Sequence, residues 1–95
     1  MGNREIKSVM VVDDNDTDLL IARIVIEKSG YSGQIVIKNS GKSALDAIES
    51  AISGGESIPN IIFLDINMPV INGYLFLQEF EKIAEEKRQN TKIVM

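Results

Sequence analysis

Cysteine, histidine and tryptophan are missing from this sequence altogether, and proline occurs only twice. Without Cys or His there is no disulfide framework, zinc finger, thiol nucleophile, Ser-His-Asp triad or imidazole acid–base pair. No apolar run approaches the roughly 20 residues of a membrane span, and the charged start of the chain leads into no long apolar segment of the secretory kind. The chain is therefore expected in the cytoplasm and away from membranes. Positive charge is also short: ten Lys and Arg stand against fourteen Asp and Glu, a net charge of −4. On that balance a nucleic-acid groove working through bulk positive charge is not expected. What remains is carboxylate, hydroxyl and lysine chemistry. The 95 residues, 44% of them apolar, suffice for one small core, so residues 1–95 are read as a single domain.

Hydrophobic patterning switches repeatedly between strand and helix periods. Ser8–Val12 is a short β-branched and apolar run that stops at Asp13-Asp14-Asn15-Asp16, residues with poor strand propensity. A helix follows from Asp16, the expected cap, to Ser29, with Gly30 as its stop. Within it Ile21, Ala22, Val25 and Ser29 form one stripe, while Leu20 and Ile24 lie about a third of a turn away. Both cannot face one narrow core, so one flank is expected at the surface. Gln34–Lys38 reads as a second strand covered on both faces. Ser40 caps a helix over 41–53, in which Ala44, Leu45, Ile48 and Ile52 recur at three- and four-residue steps. Asn60–Leu64, the most apolar run, is a central strand ending on Asp65. Pro69 blocks continuation and Gly73 opens a third helix to about Lys87, with Phe76, Phe80, Ile83 and Ala84 inward and its charges in water. Thr91–Met95 begins a fourth strand. Alternation of this kind predicts a doubly wound parallel α/β sheet.

In such sheets ligands bind beyond the carboxyl ends of the strands. Two strands end there on carboxylates, the first on Asp13-Asp14 and the third on Asp65. If these strands are neighbours, as in the order 2-1-3-4-5, the three side chains meet in one shallow pocket. Clustered carboxylates repel, so a hard divalent cation is the natural occupant, with Mg²⁺ the expected ion, and one carboxylate is left as a nucleophile toward phosphorus. Asp and Asn after a strand also serve as turn and cap residues, which is the plainer reading of Asp13–Asp16 taken alone. An EF-hand is excluded, because Leu19 stands where Gly is required and Val25 where the bidentate Glu belongs. No P-loop or dinucleotide-binding glycine pattern is present. An aspartate-based phosphohydrolase is disfavoured, since Asp18 falls where its motif needs a hydroxyl or apolar residue.

Val11-Val12-Asp13-Asp14-Asn15, Phe63-Leu64-Asp65-Ile66-Asn67-Met68-Pro69 and Gly73 together resemble a response-regulator receiver domain of two-component systems, in particular a small stand-alone, chemotaxis-type receiver. The resemblance runs over essentially the whole chain and implies a flavodoxin-like fold. It also implies that Asp65 accepts a phosphoryl group from a histidine kinase or histidine phosphotransfer protein. Mg²⁺ would be held by Asp13, Asp14, Asp65 and the backbone carbonyl of Asn67. Met68, Pro69 and Gly73 match the shaping of the site loop. Asn15, Leu20 and Ile24, beside the acidic pocket, are the candidates for partner docking. The chain departs from the family after Met95, where a switch Ser or Thr, a fifth strand with its Lys and the last helices are expected. That departure implies a receiver truncated after its fourth strand, with a free sheet edge open to self-association. The competing expectation is a phosphate-independent, receiver-like binding or oligomerisation module.

Overall fold

Strands β1 (Ser8–Val12), β2 (Gln34–Lys38), β3 (Ile61–Leu64) and β4 (Lys92–Val94) alternate with helices α1 (Asp16–Lys28), α2 (Gly41–Ser53) and α3 (Gly73–Glu81) in the computed structural model, which describes residues 6–65, 73–83 and 89–95. All strand pairs are parallel and the order is β2-β1-β3-β4. This is the expected doubly wound sheet, with β1 and β3 as neighbours. β1 lies between β2 and β3, and Val9, Met10, Val11 and Val12 are all buried, which is why it reads as an unbroken apolar run.

The two faces of the sheet are covered unequally. Met10, Val12, Ile62 and Leu64 point into one core with Ala44, Leu45 and Ile48 of α2 and Phe76 and Phe80 of α3. Phe76 and Phe80, one helical turn apart, stack with ring centroids 6.1 Å apart and planes within 9°. Burying each such side chain is worth about 1.5–3 kcal/mol. Val9 and Val11 point the other way, toward α1, but their neighbours Ile37 and Phe63 remain 37% exposed. Strand β2 is met by both α1 and α2, in line with its reading as a strand covered on both faces, and α1 packs on β1 and β2.

Helix α1 also corrects the expected stripes. Its buried residue is Leu19, followed by the half-buried Ala22 and Ile26 at three- and four-residue steps. Leu20 (58%), Ile21 (53%), Ile24 (41%) and Val25 (61%) are all exposed, so both predicted flanks reach the surface. Asn15, not Asp16, is the cap: its backbone is extended and its side-chain oxygen accepts from the Asp18 N–H at 3.0 Å. Ser40 caps α2 as expected, accepting from the Ser43 N–H at 3.1 Å. Helix α3 ends at Glu81 rather than Lys87, because Lys82 and Ile83 donate three residues back, to Glu79 and Phe80, and tighten the chain into a turn. Ala84 lies outside the described residues.

The amino-terminal end of the sheet is fastened by side chains. Asn60 accepts from the Lys7 N–H at 2.7 Å and the Ser8 N–H at 3.3 Å, tying the start of β1 to β3. Tyr31 reaches across Gly33 to donate to the Ile6 carbonyl at 3.0 Å, a path that any side chain at residue 33 would obstruct. Strand β4 pairs with β3 alone among the described residues, leaving an outer edge. None of the helices described is long and apolar enough to cross a membrane.

Candidate functional site

Strand register places the carboxylates. Val12 pairs with Leu64, so the next residues, Asp13 and Asp65, emerge side by side where the two strands end. Backbone bonds carry the sheet one step further: the Asp13 N–H donates to the Lys38 carbonyl at 3.1 Å, and the Asp65 N–H to the Val12 carbonyl at 3.0 Å. Both aspartates are thus anchored by their own main chain, and only their side chains project beyond the sheet.

Oxygens of Asp13, Asp14 and Asp65 lie within 4.8 Å of one another. Asp13 and Asp65 are half-buried and Asp14 is exposed. The Asp13 carboxylate accepts from the Asn15 N–H at 2.9 Å, which turns the chain from β1 into the cap of α1. Burial pushes the Asp13 carboxyl above its ordinary value. The Asn15 N–H works against that rise, and the negative charges of Asp65, Asp18 and Asp14 add to it. A set of hard oxygen donors this close fits a small divalent cation.

An open cavity lies over the carboxyl ends of the strands, walled by Asp13, Asp18, Leu64, Asp65, Val94 and Met95. Asp14 belongs to the carboxylate cluster but not to this wall. Asp18 belongs to the wall although the sequence reading gave it no role there. The signal that could have found it is the Asn15-x-x-Asp18 spacing, since a capped first turn folds its third residue back toward the strand end. Asn15 is exposed and engaged in its capping bond, while Leu20 and Ile24 lie exposed further along the same helix. Gly73 opens α3, whereas Asn67, Met68 and Pro69 fall outside the described residues.

Comparison with known proteins agrees with this geometry. The family described as response regulator receiver domain matches residues 9–95. The polar-differentiation response regulator DivK of Brucella ovis is 37% identical over 82 residues, covering 86% of this chain and 59% of its own length. A probable methanogenesis regulatory protein, FilR2 of Methanothrix harundinacea, is 28% identical over 74 residues, covering 78% of this chain and 48% of its own. The chain therefore spans about half the length of these curated relatives. Among solved structures, the receiver domain of the histidine kinase CKI1 from Arabidopsis thaliana, complexed with Mg²⁺ and BeF₃⁻, superposes with a TM-score of 0.76 at 30% identity, over 92% of this chain and 62% of that one.

Proposed function

The chain belongs to the response regulator receiver domain family, and on that premise we propose that it accepts a phosphoryl group on Asp65 from a histidine kinase or histidine phosphotransfer protein, with Mg²⁺ held by Asp13, Asp14 and Asp65. The observation that carries this reading is the convergence of the three carboxylates within 4.8 Å at the paired ends of β1 and β3. A receiver is a signalling module rather than a classical enzyme, and the only reactions assigned to this one are its own phosphorylation and dephosphorylation. It works in the cytoplasm, beside its donor. The reading adds the backbone carbonyl of Asn67 as a ligand, with Met68 and Pro69 shaping the loop before Gly73.

In the transfer an Asp65 carboxylate oxygen attacks the phosphorus of a phosphohistidine in line. The phosphorus–nitrogen bond breaks, its electron pair stays on the donor imidazole, and an acyl phosphate remains on Asp65. When bound, Mg²⁺ offsets the negative charge on the transferring oxygens. Asp13 and Asp14, whose oxygens lie within 4.8 Å of one another and of Asp65, would hold the cation. The Asp65 backbone, fixed to Val12, holds the nucleophile at the strand end. The absence of His from the sequence is consistent with a donor histidine on the partner. Leu20 and Ile24, exposed on α1 on the way out of the acidic loop, are assigned to docking of the donor's helices.

The test is intact-protein mass after incubation with a small phosphoryl donor and Mg²⁺. One added phosphoryl mass is expected on the native sequence and none on Asp65→Asn. Labelling that survives Asp65→Asn overturns the assignment of the acceptor. No labelling of a folded, Mg²⁺-binding chain favours the phosphate-independent module.

A further inference from the structure

Asp18 stands apart from the ligand cluster yet shares the cavity with it. It sits in the first turn of α1, its backbone N–H is held by Asn15, and it lines the same opening as Asp13 and Asp65. Among the described residues the ion pairs are Arg23–Glu27, Lys42–Asp46 and Lys82–Glu79, and none of them neutralises Asp18. Its neighbour Asp16 is in the same turn and also exposed, but is not part of the cavity wall. A carboxylate at a helix start is ordinarily placed by the helix dipole, which Asp16 and Asp18 complement alike. The position in the cavity is therefore a feature that the dipole does not account for.

We infer that Asp18 is a fourth carboxylate of the cation site, acting on Mg²⁺ through the ion's own waters. The inference rests on the Mg²⁺ reading above and extends it to a residue outside the ligand cluster. Asp18 is not in the set whose oxygens approach within 4.8 Å, so it does not join the ion directly. Mg²⁺ sheds its water reluctantly and keeps several molecules in its octahedron. Those waters would present hydrogens outward, and a carboxylate lining the same cavity would accept them. Asp18 also adds a unit of negative charge to the wall it shares with Asp13 and Asp65, which raises the attraction for a divalent ion. Its role is positioning and affinity, not contact with the reacting atoms.

Mg²⁺ affinity measured by calorimetric titration tests this without any phosphoryl transfer, on the native chain and on Asp18→Asn, Asp16→Asn and Asp14→Asn. Loss of an outer carboxylate costs a metal site about tenfold in affinity at the low end, which is the loss expected for Asp18→Asn given its exposure. Asp16→Asn is expected to change affinity less than about twofold, its charge being in the same turn but outside the cavity. Far-ultraviolet circular dichroism confirms that the variants keep the fold, and Asp18→Glu, which retains the charge, should recover most of the affinity. If Asp18→Asn binds Mg²⁺ like the native chain or like Asp16→Asn, while Asp14→Asn abolishes binding, the role of Asp18 is overturned and the cation site stands. If the native chain takes up no Mg²⁺, both readings fail together.

Discussion

Asp13→Asn is a sharp perturbation of the acidic site because it removes charge and little else. The Asp13 oxygen that accepts from the Asn15 N–H has a counterpart in the asparagine amide, so the turn into α1 is retained. Two unit charges 4.8 Å apart repel by about 0.9 kcal/mol in bulk water. Asp13 takes part in two of the three pairs of the cluster, so without a cation the variant should be more stable than the native chain by about 1–2 kcal/mol at pH 7 and low salt. For a domain of this size each kcal/mol raises Tm by about 4–8 °C. The pH dependence has a definite sign. The Asp13 carboxyl is raised in the fold, so between its ordinary and its raised value the folded state holds more proton than the unfolded one. Native stability therefore falls as pH rises through that window, and the penalty is fully present above it. The advantage of Asp13→Asn should shrink as pH drops toward about 3.9, the ordinary aspartate value. Mg²⁺ should reverse the ranking, since an ion at a hundred times its Kd stabilises the folded native chain by about 2.7 kcal/mol and the variant by less. Thermal unfolding across pH 4–7, with and without Mg²⁺, reads all of this. A variant less stable than native at pH 7 without cation, or a gain independent of pH, would refute the argument from repulsion.

Three further outcomes follow from particular contacts. Leu20→Ala should leave the free energy of unfolding within about 0.5 kcal/mol of native, because the side chain is 58% exposed, yet slow phosphoryl transfer from a partner kinase while sparing small donors; equal loss with both donors would remove Leu20 from the docking surface. Asn15→Ala should cost about 1 kcal/mol in denaturant unfolding through loss of the α1 cap, and Asn15→Ser should restore most of it. Gly33→Ala should destabilise by about 1–3 kcal/mol, since a Cβ there meets Tyr31 and the Lys7 carbonyl, and the double variant with Tyr31→Ala should be milder than the sum of the two single changes.

Most of the fold is written in patterns that local physics decides. β1, β2, α1 and α2 fall where period and caps place them, because a buried strand between turn residues and a helix between Ser40 and a glycine leave few alternatives. The failures lie where the decision is tertiary. Nothing in the spacing of Leu19, Leu20, Ile21, Ile24, Val25 and Ile26 says which stripe meets the sheet, since every flank of α1 carries aliphatic residues and only packing on β1 and β2 selects Leu19. The apolar character of β3 likewise gives no sign that Phe63 is left 37% exposed. The end of α3 was illegible for a related reason: helix-favouring charged residues continue past Glu81, but the i→i−3 bonds of Lys82 and Ile83 close the last turn.

The acidic site was legible to the extent that it depends on register. One carboxylate at a strand end is ambiguous between a turn and a ligand, and no count of aspartates in a loop resolves it. Two strand ends resolve it only if the strands are adjacent. The pairing of Val12 with Leu64 makes them so and sets Asp13 beside Asp65. The placement of Asp18 has the same dependence. Its relation to Asp65 is carried by no sequence interval, but by the Asn15 cap that turns α1 over the end of the sheet and by the β1–β3 pairing beneath it. A cap and a ladder, each ordinary in itself, together place a residue from α1 in the wall of a cavity built on β3. It follows that Asn15→Ala should perturb Mg²⁺ binding as well as stability, because it loosens the turn that holds Asp18, and Asn15→Ser should restore both. If affinity for the ion stays native in an Asn15→Ala chain that has measurably lost its cap, the geometric link from cap to cavity is broken.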